Sequence, residues 1–228
     1  IEYTKLLGPL GAFAQTVDAF RAAGGLGLNV TAPFKLDAFA YATDLAPSAQ
    51  MAGAVNAMKF EGGKVYAENF DGVGLVRDVV HNLAFPLQGR RVLILGAGGA
   101  TRGALLPLLA QRPAELVIVN RTEAKARELA DLANQHPTHG VPVQGLGYGD
   151  LQQRTFDVVF NATSASLTAE GLPLPASVFA PDCLAYELAY GKGLTPFLQL
   201  AKQAGVQRLA DGVGMLAEQA AEAFAWWR

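Results

Sequence analysis

Two sets of residues in this chain have the types and spacing that chemistry needs. Gly96, Gly98 and Gly99 stand close together in Gly96-Ala97-Gly98-Gly99-Ala100, and a polar group of Asn120, Arg121, Thr122 and Lys125 follows. Glycines so placed remove the side chains that would keep a pyrophosphate from the backbone. The second set is an ammonium and a carboxylate. Lys35 follows a proline-phenylalanine turn, and Asp71 lies in a glycine-flanked stretch read as a loop before a helix. Such a pair can pass a proton to or from oxygen while a cofactor exchanges hydride with carbon. Taken alone, each of the two is more often a solvated surface charge.

The glycine signal gains weight from its surroundings. Residues 92–95 are an apolar run suited to a strand buried on both faces, and residues 99–110 read as a helix whose first amides would face an anion. The third position of the dinucleotide fingerprint, ordinarily Gly or Ala, is Thr101 here. A strand before and a helix after is the context that the motif requires; the alternative is a tight turn with no ligand. The end of the next strand, 116–119, discriminates between cofactors. An NAD site usually carries an acid there for the ribose hydroxyls, whereas this chain offers Arg121, whose guanidinium matches a 2′-phosphate. NADP is therefore the expected cofactor. The competing reading makes Asn120 or Thr122 a helix cap and leaves Arg121 in solvent.

These groups need a scaffold. After the opening strand-helix-strand unit come a helix at 123–134, strands at 141–144, 156–160 and 184–188, and helices at 195–204 and 214–227. Strands alternating with helices call for a parallel, doubly wound sheet. The stretch 164–181, with Pro173, Pro175 and Pro181, reads as a long loop. Upstream, the pattern predicts a helix over 11–23, a strand over 26–30, a helix from Pro33 to about Thr43 capped by Thr31, and a short helix over 47–53. A hairpin of 57–60 with 64–67 follows. A helix over 73–82 bridges to the nucleotide-binding half.

Composition narrows the rest. The chain is 51% hydrophobic and 17% charged with a formal net charge of −2, which describes a well-buried globular protein and gives no reason to expect nucleic acid or an anionic membrane as partner. Cys183 stands alone, so no internal disulfide is expected. His136 and His139 lack neighbouring cysteines or carboxylates, and no metal site is expected. With no apolar run long enough for a membrane span and no leader pattern, a cytoplasmic location is the default expectation.

Eight segments, in order, resemble shikimate dehydrogenases. They are Asn29-Val30-Thr31-Ala32-Pro33-Phe34-Lys35, Ala52-Gly53-Ala54-Val55-Asn56, Asn69-Phe70-Asp71-Gly72-Val73-Gly74, the glycine turn at 96–100, Asn120-Arg121-Thr122, Asn161-Ala162-Thr163-Ser164, Tyr190-Gly191-Lys192-Gly193 and Asp211-Gly212-Val213-Gly214-Met215-Leu216. The match spans almost the whole chain and lowers the surface-charge reading of Lys35 and Asp71 sharply. The resemblance implies NADP-dependent interconversion of 3-dehydroshikimate and shikimate in aromatic amino-acid biosynthesis, with Lys35 and Asp71 as the catalytic pair. It implies Thr31, Asn56, Asp71, Tyr190 and Gln219 on the substrate side. On the cofactor side it adds Asn161, Thr163, Ser164, Gly212 and Met215 to the glycine turn and the Arg121 group. The residue types suit the reaction: an ammonium, with an ordinary pKa near 10.4, is protonated at neutral pH and can deliver a proton to a ketone oxygen. Which of the two groups accepts the proton in the oxidation stays open.

The implied architecture is α/β: a Rossmann-like doubly wound domain over 72–211, and a smaller α/β substrate domain over 1–71 and 212–228. Family members open with a strand and a helix bearing a serine pair for the substrate carboxylate, and no Ser-x-Ser precedes Lys35. The expectation is that the sequence is part of a longer polypeptide and that its substrate sheet lacks a strand. Residues 164–168 also depart from the glycine expected after Asn-Ala-Thr-Ser. Two other functions stay in view: a quinate or shikimate enzyme using NAD, and a non-catalytic NADP-binding regulator. A homodimer is one assembly in view, and the sequence does not decide the oligomeric state.

Overall fold

A computed structural model describes residues 2–135, 140–163, 172–191 and 193–228. The first part of the chain forms helix α1 (Phe13–Ala22), strand β1 (Gly27–Asn29), helix α2 (Lys35–Tyr41), the two-residue strand β2 (Asp44–Leu45), helix α3 (Pro47–Ala52) and the hairpin β3 (Ala57–Glu61) and β4 (Lys64–Glu68). They build a mixed four-stranded sheet in the order β1-β3-β4-β2. Gly62 and Gly63 turn the hairpin with φ of +59° and +80°, the left-handed backbone that a two-residue turn of this kind demands. Alternation in β4 sends Val65 and Ala67 inward, where Met58, Val30, Ala38 and Ala49 complete one apolar layer. β1 stands at the sheet's edge, and the segment before α1 exposes Tyr3, Leu6 and Leu7.

Helix α4 (Asp71–Arg77) starts two residues before the predicted point and runs without a break into a π turn, Asp78–Asn82. Asp71 is therefore the first residue of a helix and not part of a loop. Helix α2 also differs from expectation. Residues 31–34 form a turn, closed by the Phe34 N–H to the Thr31 carbonyl at 2.9 Å, with a cis Ala32–Pro33 bond, and the helix begins only at Lys35. Thr31 thus shapes the turn ahead of α2 and does not cap it.

Six strands follow: β5 (Arg91–Leu95), β6 (Glu115–Val119), β7 (Val143–Leu146), β8 (Phe156–Asn161), β9 (Phe179–Glu187) and β10 (Arg208–Asp211). They alternate with α5 (Gly99–Ala110), α6 (Glu123–Asn134) and α7 (Pro196–Gln203), and α8 (Val213–Trp227) closes the chain. The sheet is parallel throughout, in the order β10-β9-β8-β5-β6-β7, which is the doubly wound arrangement with its switch point between β5 and β8. An apolar cluster covers each face, which is why β5 and β6 are unbroken apolar runs. β7 begins two residues later than predicted, because Pro142 has a carbonyl for the ladder, accepting from Leu116 N–H at 3.0 Å, but no N–H to give. β9 reaches back to Phe179, so residues 179–181 of the predicted loop are strand, while residues 164–171 of it lie outside the described residues. Neither β2 nor β10 was anticipated. Arg-Leu-Ala-Asp has no apolar run to mark it as a strand and is held by pairing with β9.

The two sheets meet across α4. A Cβ on Gly72 would come within 2.3 Å of the Gly103 carbonyl on α5, and one on Gly74 within 2.7 Å of the Met215 carbonyl on α8. Glycine on both sides lets α4 wedge between these helices. α8 then returns to the first sheet, where the Trp227 indole donates to the Met58 carbonyl at 3.0 Å. Among the described residues no helix is long and apolar enough to cross a membrane.

Candidate active site

Four side chains, distant in sequence, converge at the start of α4. Lys35 at the head of α2 donates through Nζ to Asp71 Oδ2 at 2.6 Å. The other carboxylate oxygen, Oδ1, accepts from Asn56 Nδ2 at 2.9 Å, and the same Nδ2 lies 3.3 Å from Gln219 Oε1 on α8. Asn56 is buried, and its own Oδ1 accepts the Phe70 N–H at 2.9 Å, fixing which way the amide faces. Lys35 and Asp71 keep 32% and 20% of their side-chain surface, enough for a bound molecule to reach both. The carboxylate also sits in the first turn of α4, where the helix dipole favours a negative group.

The backbone around this cluster is tied down. The Val55 N–H donates to the Lys35 carbonyl at 3.0 Å, linking the start of α2 to the approach to β3. Asn69 accepts the Asp71 N–H at 3.1 Å and donates to the Ala54 carbonyl at 3.1 Å. No residue pattern marks Asn69 as more than part of its segment; its burial and double bonding make it the brace of the loop before α4. The same holds for Asn29. Its Nδ2 is buried without a hydrogen-bond partner among the described residues, next to the strand pairing that joins Val30 N–H to the Asn56 carbonyl. A buried donor of that kind is uncommon. Thr31 and Tyr190 are exposed and, among the described residues, hydrogen-bond to none of the four.

The predicted cofactor residues gather at the other end of the crevice, at the carboxyl ends of the parallel strands. Gly96 ends β5 with φ of +101°, and a Cβ there would press on the Ala162 carbonyl at 3.1 Å, where the chain leaves β8. Gly98 and Gly99 open α5 quite differently. A Cβ at either would meet nothing of the protein within 4 Å, and with Ala100 they are exposed. Packing does not require these glycines, and the space they leave lies at a helix N-terminus, so the residues present fit a pyrophosphate. Thr101, the departure from the fingerprint, is fully buried and donates to the Gly96 carbonyl at 2.7 Å, tightening the turn.

Arg121 and Lys125 are exposed at the end of β6 and in α6, and neither forms an ion pair among the described residues. Asn120 Nδ2 donates to the Thr122 carbonyl at 2.9 Å, so these two shape the turn that presents Arg121. Thr122 occupies the N-cap position of α6 but makes no capping bond with its side chain. Tyr148, just past β7, was not singled out from sequence. Burial pushes its phenol above the ordinary value, and the positive charge of Arg121 acts in the opposite sense.

Asn161 is buried at the end of β8. It donates to Glu187 at 2.9 Å and accepts from the Thr163 hydroxyl at 2.7 Å, so it ties Thr163 to the ends of β8 and β9. Ala97 is half-buried, and Met215 packs on the core from the first turn of α8. Gly212 precedes that helix, where a Cβ would strike the Leu188 carbonyl at 2.2 Å. Ser164, Lys192, His136 and His139 lie outside the described residues. Cys183 is buried in the sheet core, and burial pushes its thiol up to about 12, so it is not a nucleophile at neutral pH.

The chain is similar to known proteins over most of its length. Residues 1–58 match the model for the shikimate dehydrogenase substrate binding domain, and residues 78–169 match that for shikimate / quinate 5-dehydrogenase. A relative from Chromobacterium violaceum named shikimate dehydrogenase (NADP(+)) is 54% identical over the whole of this chain and 82% of its own length. The crystal structure of an Ael1 enzyme from Pseudomonas putida superposes with a TM-score of 0.90 at 58% identity, covering 97% of this chain and 80% of that one. Shikimate 5-dehydrogenase from Thermus thermophilus, solved with NADP(H) and shikimate, gives a TM-score of 0.79 at 31% identity, covering 96% and 79%. With likeness of this extent over both sheets and the cleft between them, the chain belongs to the shikimate dehydrogenase family.

Proposed function

We propose that this protein catalyses the reversible, NADP-dependent reduction of 3-dehydroshikimate to shikimate, with Lys35 and Asp71 beside the reacting carbon. The observation that carries the reading is the hydrogen-bonded convergence of Lys35, Asp71, Asn56 and Gln219 at the head of a helix packed on α5, whose own N-terminus is open and glycine-lined. The names and bound ligands of its relatives support it.

Gly98, Gly99 and the first amides of α5 would hold the pyrophosphate, and Arg121 with Lys125 the 2′-phosphate. When bound, the reduced cofactor supplies the hydride. The chain's own part is to place and protonate the ketone. Lys35 Nζ, held at 2.6 Å from Asp71, donates a proton to the carbonyl oxygen as hydride adds to its carbon, leaving the new hydroxyl and a neutral amine that solvent reprotonates. Asn56 and Gln219, already within hydrogen-bonding distance of each other, offer a donor and an acceptor to ring hydroxyls. Thr31 and Tyr190, both exposed, would be further substrate contacts.

The test is NADPH formation on mixing the protein with shikimate and NADP, with quinate and NAD run in parallel. Turnover with shikimate and NADP, exceeding every other pairing, is the expected result. Faster turnover with quinate or NAD would overturn the assignment. NADP binding with no turnover on either acid would leave a non-catalytic binder.

A further inference from the structure

α4 does more than carry Asp71. Asp71, Gly74 and Asp78 follow one another at spacings of three and four and so share one stripe of the helix. Gly74 lets that stripe touch α8 at Gln219, since a Cβ there would sit 2.8 Å from the Gln219 backbone nitrogen. Asp78, where the α-helix gives way to the π turn, is 4% exposed. Its Oδ2 accepts from the Tyr186 hydroxyl at 2.7 Å, and its Oδ1 from Asn82 Nδ2 at 3.0 Å. The carboxylate also fills the space over Gly214, where a Cβ would lie within 2.0 Å of Oδ1.

One buried carboxylate thus touches three elements: the helix carrying Asp71, the strand β9 of the large sheet through Tyr186, and the first turn of α8. That turn leads from Gly212 through Met215 to Gln219. Asn82 extends the tie, its amide also donating to Glu218 at 3.0 Å. No part of the mechanism above uses Asp78, which stands about 10 Å along the helix from Asp71. A buried carboxylate is costly unless its bonds are made, and here they are made to Tyr186 on β9 and to Asn82 one turn along the helix, while the packing over Gly214 reaches α8.

We propose that Asp78 is a positioning residue: through Tyr186 and Gly214 it sets the register of α4 and α8 against the large sheet, and so the alignment of substrate with the hydride donor. This rests on the reading of Asp71 and Gln219 as substrate-side groups. Alignment is where such a tie would act, because a displacement of an ångström far from the chemistry can cost about 10²-fold in rate.

The experiment compares Asp78→Ala, Asp78→Asn and Tyr186→Phe in the enzyme. Measured per folded molecule are kcat, KM for shikimate, the dissociation constant for NADP, and the primary isotope effect on kcat with shikimate deuterated at the reacting carbon. Asp78→Ala is expected to lose roughly 10²-fold in kcat, with the isotope effect rising as hydride transfer becomes limiting and NADP binding unchanged. Asp78→Asn, whose amide oxygen still accepts from Tyr186, recovers most of the rate, and Tyr186→Phe falls between the two. A lower melting temperature with kcat and isotope effect unchanged would make Asp78 merely structural and overturn the proposal. Should Asp78→Ala fail to fold, Tyr186→Phe decides by the same two readouts. Lys35→Ala run alongside separates the readings: full turnover there with loss at Asp78 refutes the role of Lys35 and leaves this inference standing.

Discussion

The two ends of the cleft are built on different plans. At the cofactor end the groups that matter are neighbours in sequence: Gly96 to Thr101 form one turn and Asn120 to Lys125 another, each set by its own strand and helix. At the substrate end Lys35, Asn56, Asp71 and Gln219 come from four elements, and α8 contributes across 163 residues from Asn56. The first plan depends on local backbone geometry, the second on how α4 packs between α5 and α8. A change at the cofactor end should therefore act on affinity alone. A change at the substrate end should reach catalysis, stability or both.

The sharpest test of that contrast removes the ammonium. Lys35→Ala should lower turnover by about 10²- to 10⁴-fold while NADP affinity stays the same, the range for a positioned acid or base. Parallel loss of NADP binding in a titration would mean that the two ends are not separable. At the other end, Arg121→Ala should weaken NADP by about 10- to 100-fold, the worth of a charge-assisted phosphate contact, and leave NAD where it was. An unchanged ratio of NADP to NAD in steady-state kinetics would remove Arg121 from the phosphate site.

Legibility follows the same division. The parallel sheet, its glycine turn and the Arg121 segment could be read from residue order, because periodicity and turn chemistry are local signals. The strands that escaped notice, β2 and β10, are short and polar and exist through tertiary pairing with β4 and β9. For Lys35 and Asp71, residue types alone favoured surface charges, and only the order of eight family segments raised them. Nothing in the sequence says that Asn56 turns one amide toward both Asp71 and Gln219. Nor does it say that Thr101, which looks like a flaw in the fingerprint, ties the turn to the Gly96 carbonyl. Those facts belong to packing, which sequence periodicity does not encode.

Two glycines put the contrast on one footing. At Gly98 the backbone is ordinary, with φ of −95°, and a Cβ would meet open space, so Gly98→Ala should leave the melting temperature unchanged. It should raise KM for NADP at least about tenfold, a loss of roughly 1.4 kcal/mol, by standing where the pyrophosphate approaches. At Gly74 the added methyl would lie 2.7 Å from the Met215 carbonyl and 2.8 Å from the Gln219 nitrogen. Gly74→Ala should therefore cost about 1–3 kcal/mol of stability as α4 and α8 separate, and lower kcat with it. Equal effects from the two substitutions would show that both glycines serve packing.

The smallest expected effect lies at the far end of the large sheet, where β5 and β8 begin. There Asp157 accepts from the Arg91 backbone N–H at 2.8 Å and from its guanidinium at 3.2 and 3.0 Å. Burial raises the Asp157 carboxyl, but the bonds from Arg91 outweigh it and hold the group below the ordinary 3.8. A carboxylate depressed in this way stabilises the fold at neutral pH, and that contribution fades as pH falls below about 4 through the folded-state value. Arg91 keeps 42% of its side chain in solvent, so the contribution is under about 1 kcal/mol after screening. Asp157→Asn should accordingly lower the melting temperature slightly at pH 7, with the gap to the parent protein closing in acid. It should leave kcat and both KM values alone, because the pair stands at the opposite ends of the strands from the glycine turn. A gap that widened in acid would reverse the sign of the linkage, and a change in KM for NADP would show that the strand ends are coupled through β5.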